Sequence, residues 1–135
     1  MGLIAGLTAF ASIWLGHGFV RKIEAHAVRL WIPMAATFLF GAAFEAVALI
    51  VSPPAISMVF GILGITLFWD VLELKRQAVR VSKGHAPANP ANPRHAALLA
   101  QPGSAATTCK VPERKPGEGR ISTDIQGHKT TGVRL

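Results

Sequence analysis

The sequence predicts an all-α integral membrane protein with three transmembrane helices, a short cytoplasmic interfacial segment and a disordered C-terminal tail. Nearly all the strongly apolar sequence of this 135-residue chain lies between residues 2 and 74. Lys and Arg are absent before Arg21 and between residues 30 and 74, although the net charge is +7. A soluble domain would mix the two kinds of residue throughout. The segregation therefore predicts one membrane domain, residues 1–83, followed by a solvated tail, residues 84–135.

Three apolar runs are each long enough to cross a bilayer, which requires about 20 mainly apolar residues. They cover approximately residues 2–20, 30–51 and 54–74. The break before the third run is predicted at Ser52 to Pro54, because Ser caps helices and Pro is tolerated in a first helical turn. The third helix is predicted to continue to about residue 82, since apolar residues recur at helical spacing after Asp70.

The distribution of positive charge predicts the orientation, because loops rich in Lys and Arg stay in the cytoplasm. Residues 21–29 hold three basic residues and one acid, residues 52–54 hold no charge, and residues 75–83 hold four basic residues and no acid. We therefore expect a multi-pass protein of the bacterial cytoplasmic (inner) membrane, with the N-terminus outside and the tail inside. Basic residues follow the first apolar run and do not precede it, which favours an uncleaved helix over a signal peptide.

The most distinctive residues gather where the first and third runs meet the predicted cytoplasmic surface. This cytoplasmic rim has seven candidate interaction residues: His17, Lys22, Glu24, Trp69, Glu73, Gln77 and Arg80. Glu73 or Asp70 could pair with the basic side chains near residue 22. One interpretation is ordinary boundary salt bridges, worth under about 1 kcal/mol each when exposed. The other is a site for an anionic lipid headgroup or a partner protein.

Glu45 is the one acid well inside a predicted span. A charged carboxylate at that depth is costly, so intramembrane acids are candidate functional groups. Two roles are open. Glu45 could be protonated and hydrogen-bonded to Thr8 or Ser57 at comparable depth, or it could be a proton- or cation-responsive group. The spans hold few other polar residues, which favours the structural role because a transport pathway normally has more.

Small residues in each run predict close packing of the helices, which drives association within a bilayer. Gly2 and Gly6 have a G-x-x-x-G spacing, and Gly41, Gly61 and Gly64 offer similar positions in the other two runs. A bundle of three short helices has little interior. We therefore expect a homo-oligomer or a partner membrane subunit, and an accessory or assembly role. The alternative is a small transporter or channel subunit that uses the acid in the second run.

The sequence offers no support for catalysis, a cofactor, a metal or nucleic acid. It contains no phosphate-binding loop, nucleophile motif or pair of catalytic carboxylates, so we expect no enzyme activity. His17 and His26 are nine residues apart and would face opposite sides of a continuous helix, which is a poor metal signature. The basic residues flank apolar spans instead of interleaving with a folded core, which argues against nucleic acid.

The tail from residue 84 is rich in Pro, Gly and Ala and poor in large apolar residues, which predicts disorder. Within it, Ala88-Asn-Pro and Ala91-Asn-Pro form a short repeat, and residues 96–100 could form one helical turn. A basic tail near an anionic leaflet gains about 1 kcal/mol per well-placed Lys or Arg. A weak membrane tether and a featureless extension both remain open.

The two stretches of the rim resemble a family of small, uncharacterised bacterial membrane proteins. Four residues match its H-P-x-V-x-K-x-E segment: His17, Val20, Lys22 and Glu24. Gly18 stands where that family usually has Pro. The stretch from Trp69 to Pro90 resembles the family pattern W-x-x-x-E-L-x-x-Q-x-x-R-V-x-K-G-x-x-P-x-N-P. The family is the domain of unknown function four-four-nine-one. The resemblance, over roughly residues 2–90, implies a three-span membrane protein and assigns no activity.

Overall fold

The structure is a computed structural model that describes residues 1–109. It contains four helices: α1 Gly2–His26, α2 Trp31–Ile50, α3 Pro54–Ser82 and α4 Pro93–Ala100. The first three are each long and apolar enough to cross a membrane. The predicted all-α class and the three spans are therefore confirmed. Beyond its apolar run, α3 continues as a polar extension and ends at Ser82.

The connections between the long helices are short, so each long helix runs antiparallel to the one before it. α1 ends where Ala27 adopts an extended conformation, and α2 ends in the same way at Val51. Pro54 occupies the first turn of α3. A proline at that position loses no intrahelical hydrogen bond, because the first N–H groups of a helix have no partner within it.

α3 is the central helix of the bundle. It packs against both α1 and α2, whereas α1 and α2 hardly contact each other. Gly41 of α2 permits the close approach to α3. A Cβ atom added at Gly41 would lie 3.0 Å from the Phe68 ring and 3.2 Å from the Gly64 carbonyl oxygen. The predicted close packing at small residues thus occurs between α2 and α3. By contrast, the space around Gly2 and Gly6 is open, so within the described residues their G-x-x-x-G spacing packs nothing.

α1 packs against α3 and buries a stripe of residues that recur every fourth position: Ser12, Gly16, Val20 and Glu24. The Ser12 hydroxyl lies 3.2 Å from the Thr66 hydroxyl. A Cβ atom added at Gly16 would lie 2.8 Å from the carboxylate oxygens of Asp70. Both contacts join residues that are 54 positions apart in the chain. α1 and α3 therefore run parallel, and their C-terminal ends lie at the same end of the bundle.

Large apolar side chains cover the outside of the bundle. In an apolar 18-residue stretch of α1 only 17% of the residues are buried, and in the corresponding stretches of α2 and α3 only 6% are. Leu39 and Phe10, for example, are 67% and 72% exposed. Water would not tolerate so large a contiguous apolar surface, whereas lipid tails are as apolar as these side chains. The molecule is a small membrane protein whose outer surface is suited to lipid.

Residues 84–109 depart from the predicted disorder. They fold back on the end of the bundle, and α4 includes the helical turn foreseen at residues 96–100. Prediction from composition considered only large apolar side chains, whereas small alanines and buried polar groups provide the contacts here. The remainder of the predicted tail, residues 110–135, lies outside the described residues. A small apolar cluster holds the folded segment, formed by Val81, Ala86, Ala88 and Leu99.

Candidate functional site: a polar cap on the helix bundle

A polar cap covers the end of the bundle where α1 and α3 finish. We define this polar cap as the last turns of α1 and α3 together with residues 84–100. All the residues of the predicted rim lie on α1 or α3 near this end. They do not form a single cluster. The structure distributes them between one network on α3, a second network between α1 and the segment after α3, and an exposed outer surface.

The α3 network is centred on Glu73, which is only 6% exposed. Arg80 donates a hydrogen bond to its Oε1 atom, and the Nη1 atom of Arg76 lies 3.9 Å from its Oε2 atom. Arg80 also donates to the Oε1 atom of Gln77 at 3.1 Å. Glu73 therefore pairs within its own helix and not, as predicted, with the basic side chains of α1. Residues seven apart lie on one helix face, so these partners are already in place when α3 forms.

Trp69 takes part in this region through Arg76. The Arg76 guanidinium carbon lies 4.9 Å from the centroid of the Trp69 ring. Such a cation–π contact contributes about 0.5–1 kcal/mol at an exposed site. Arg76 thus links an aromatic ring of the kind that favours membrane interfaces with the buried carboxylate of Glu73.

The second network joins α1 to α4. Oε1 of Glu24, a residue 1% exposed, lies 2.7 Å from Nη2 of Arg94 and 3.0 Å from Nε2 of His95. His95 is fully buried, and its Nδ1 atom accepts a hydrogen bond of 2.9 Å from the backbone N–H of Asn89. Since Nδ1 is an acceptor, the ring carries its proton on Nε2, and this N–H donates a hydrogen bond to Glu24. The Arg94 Nη2 atom also lies 2.9 Å from Nε2, but two donors face each other there, so this contact is not a hydrogen bond. Two donors thus converge on one buried carboxylate oxygen.

Side chains of the Asn-Pro repeat cap the C-terminal end of α1. The last carbonyl groups of a helix have no partner within the helix and need donors from elsewhere. The Asn92 amide donates to the carbonyl oxygens of Ala25 and Ala27 at 3.1 Å each, and the Asn89 amide donates to Ala25 at 3.0 Å. Arg94 adds bonds to the carbonyl oxygens of Glu24 and Ala27. The repeat, which lies within the segment predicted to be disordered, therefore completes α1.

Asn92 also begins α4. Its Oδ1 atom accepts a hydrogen bond of 3.0 Å from the backbone N–H of Arg94, and Pro93 follows it in the first helical turn. Asn before Pro is a recognised signal for a helix start. This signal could have revealed α4 from the sequence. The contacts of Asn92 with α1 could not have been found in this way, because they join residues 65 and 67 positions apart.

His17 and Lys22 belong to neither network. Both are exposed on the outside of α1, where they line a shallow groove together with Trp14 and Arg21. The Nδ1 atom of His17 lies 3.1 Å from the carbonyl oxygen of Ile13, one helical turn earlier. Among residues 1–109, no group of three or more His, Cys, Asp or Glu side chains is arranged to hold a metal ion.

Glu45 packs against α3 within the membrane-spanning region. A Cβ atom added at Gly64 would lie 2.6 Å from its Oε1 atom, so the missing side chain provides the space for the carboxyl group. This buried oxygen has no hydrogen-bond partner among the described residues. The Ser57 hydroxyl, one of the two predicted partners, instead donates to the carbonyl oxygen of Ala48 at 2.7 Å. The predicted hydrogen bonds from Glu45 to Thr8 or Ser57 are not formed.

A cleft of about 260 Å³ lies between the three long helices. It exists because α1 and α2 both pack on α3 and leave a gap between themselves. Its walls are largely apolar, including Phe19, Phe44 and Leu63. The polar residues that line it come from all three helices: Ser12, Thr37, Thr66 and Asp70.

These features define a small helical membrane protein with three spans and a polar cap at one end. The chain belongs to the family described as domain of unknown function (DUF4491), whose model matches residues 1–92. The match confirms the resemblance seen in the rim motifs. It covers the whole bundle and ends at Asn92, the residue that caps both α1 and α4. No curated protein and no solved structure matches the chain.

Proposed function

We propose that this protein is an accessory or assembly subunit of the bacterial cytoplasmic membrane. It acts by association, receiving in the cleft between its helices side chains from a transmembrane helix of a second copy or of a partner subunit, and it catalyses no reaction. The observation that carries this proposal is the cleft between the three helices. A closed three-helix bundle would bring α1 and α2 together, whereas here they remain apart.

The polar groups of the cleft favour a protein occupant over lipid alone. The Ser12 and Thr66 hydroxyls lie 3.2 Å apart across the helix interface, and each also lies within hydrogen-bonding distance of a backbone carbonyl oxygen of its own helix, so their two protons cannot serve all three contacts at once. Thr37 lines the same cleft within the apolar part of α2, and none of the described residues forms a hydrogen bond with its hydroxyl. Lipid tails cannot hydrogen-bond, so a polar group facing them gains from a donor on a neighbouring helix.

The proposed orientation places the polar cap in the cytoplasm and the N-terminus outside. Support comes from the charges at the two ends of the bundle. The end with the polar cap carries Arg21, Lys22 and the four basic residues within the segment 75–83. The loop at residues 51–53, by contrast, carries no charge. Basic segments are retained on the cytoplasmic side of membranes.

Affinity purification in mild detergent tests the proposal when cleft variants are included. The full-length chain is expected to elute as a homo-oligomer or with a stoichiometric partner. Thr37→Phe fills the cleft and should reduce the associated fraction at least about fivefold, because overpacking an interface costs about 1–3 kcal/mol. Leu39→Phe is the control on the same helix, since Leu39 is 67% exposed. A monodisperse monomer without partner, or equal losses in both variants, would contradict the proposal.

A second candidate function is a small transporter or channel subunit. It is favoured by the buried Oε1 atom of Glu45, which has no hydrogen-bond partner among the described residues. Intramembrane acids commonly mark ion and proton pathways. In liposomes, Glu45→Gln should then abolish a proton or cation flux while the elution profile of the detergent-purified protein stays unchanged. If the wild-type protein supports no flux, or the variant supports the same flux, this candidate is excluded.

A further inference from the structure

We propose that the polar extension of α3 binds the phosphate group of an anionic phospholipid. The site is a groove that runs along the last turns of α3 and reaches His85, the residue that follows Gly84. This inference goes beyond helix association. It requires that α1–α3 span a membrane, and it does not require a partner in the cleft.

The groove has a volume of about 380 Å³ and is basic. Its lining residues are Lys75, Arg76, Val79, Arg80, Lys83 and His85. No acid lines it. Among the described residues, the Glu73 carboxylate pairs with Arg80 and Arg76 of this groove, and Glu73 is itself only 6% exposed. Four cations against one carboxylate leave a net charge of +3 at the groove.

Helical spacing gathers these cations on one face of α3. Residues three and four positions apart are neighbours on a helix surface. Lys75, Val79 and Lys83 therefore form one row, and Arg76 and Arg80 form the adjacent row. Because Val79 is apolar and 44% exposed between the two lysines, it offers a contact for the glycerol region of a lipid.

Glu73 orients the arginines without removing them from the groove. The Arg76 and Arg80 side chains are 54% and 48% exposed although both approach the Glu73 carboxylate. A guanidinium group has five N–H donors, so one carboxylate leaves others available for phosphate oxygens. Glu73 and Gln77 are thus positioning residues for the proposed site.

The end of α3 brings His85 into the same groove. Gly84 has a positive φ of 69°, which lets the chain reverse after the last helical turn. The backbone N–H of His85 then donates to the Arg80 carbonyl oxygen at 2.8 Å, and that of Gly84 donates to the Val81 carbonyl oxygen at 3.0 Å. This pair of hydrogen bonds is a Schellman motif, which satisfies terminal carbonyls. The Lys-Gly step of the sequence therefore has a structural role in building the groove.

The depth of the groove favours a lipid over a soluble anion. Trp69 marks the boundary of the membrane, because tryptophan rings concentrate at the level of lipid headgroups. Lys75 follows Trp69 by six residues, a rise of about 9 Å along a helix. Arg76 reaches back to stack on the Trp69 ring. The cations therefore begin where headgroup phosphates lie, and each basic residue near an anionic membrane surface contributes about 1 kcal/mol to its attraction.

Native mass spectrometry of the full-length protein in detergent tests this inference. The probes are phosphatidylglycerol and, as the zwitterionic comparison, phosphatidylcholine. The wild-type protein should retain phosphatidylglycerol preferentially. Lys75→Gln/Lys83→Gln should weaken that binding at least about tenfold, whereas the charge-preserving Lys75→Arg/Lys83→Arg should retain it.

The matched control is Arg21→Gln/Lys22→Gln, which removes two exposed cations at the same end of the bundle but outside the groove. It removes the same amount of charge, so it should weaken phosphatidylglycerol binding much less than Lys75→Gln/Lys83→Gln does if the groove is the site. Equal binding of the two lipids, or equal losses in the two Gln variants, would overturn the inference. Displacement of the lipid by inorganic phosphate at equal concentration would also overturn it, since the groove would then be a site for the free anion. The outcome is independent of association through the cleft, which Thr37→Phe tests separately.

Discussion

The Nε2 atom of His95 lies 3.0 Å from the Oε1 atom of Glu24, and both side chains are buried, at 0% and 1% exposure. The two residues are 71 positions apart in the chain. Their contact ties the segment after α3 to the end of α1. A polar tie of this kind depends on every partner being present, because a buried polar group left unpaired is costly.

His95→Ala is therefore expected to release residues 84–100 from the bundle. It removes the donor to Glu24 and leaves the Asn89 N–H without its acceptor. Each unsatisfied buried group costs about 1–3 kcal/mol. Limited trypsin digestion of the detergent-solubilised protein should then cleave after Arg94 at least about tenfold faster. His17→Ala, which removes an exposed histidine of α1, is the control and should leave the cleavage rate unchanged. Equal rates in the two variants would show that this tie does not hold the segment.

Asn92 is predicted to stabilise two helices, α1 through the Nδ2 atom of its amide and α4 through the Oδ1 atom. Asn92→Ala loses both functions and should cost about 1–2 kcal/mol at the start of α4 alone. Asn92→Asp retains the acceptor for the Arg94 N–H but removes the amide that donates to Ala25 and Ala27. Hydrogen exchange should show α4 protected at its N-terminus in Asn92→Asp and unprotected in Asn92→Ala. In both variants α1 loses the two bonds from the Asn92 amide and keeps those from Asn89 and Arg94, so the last turn of α1 should exchange faster in both. Identical exchange patterns in the two variants would contradict the double role.

The packing of α2 on α3 is expected to be sensitive at Gly41. Its added Cβ would meet the Phe68 ring at 3.0 Å and a backbone carbonyl oxygen at 3.2 Å, and a backbone atom cannot turn away as a side chain can. Gly41→Ala should therefore destabilise the bundle by about 1–3 kcal/mol. Thermal unfolding in detergent measures this loss. Gly6→Ala is the control, because an added Cβ there meets open space. A Gly41→Ala protein as stable as the control would show that the helices can separate without cost.

Sequence patterns predicted the helices well because each pattern is local. The three spans follow from runs of apolar residues. The pairing of Glu73 with Arg80 could equally have been predicted from the sequence, since a spacing of seven residues places two side chains on one helix face. The polar cap could not be predicted from the sequence, because Glu24 and Asn92 contact partners that are 65 to 71 residues away in the chain. Composition also predicted disorder for residues 84–109, which are folded because alanines and asparagine amides provide contacts that larger apolar side chains usually provide.

The proposed orientation predicts which residues a membrane-impermeant maleimide reaches in intact cells. Cys109 is the single cysteine of the chain, so the Cys109→Ser variant provides a background without thiols. Ser52→Cys, in the exposed loop between α2 and α3, should be labelled from outside. Val28→Cys lies in the loop between α1 and α2, is also exposed at 56%, and should be labelled only after the cells are permeabilised. The reason is that residues 21–29 carry three of the basic side chains that resist translocation. Labelling of Val28→Cys but not Ser52→Cys in intact cells would reverse the orientation and place the basic groove of α3 outside.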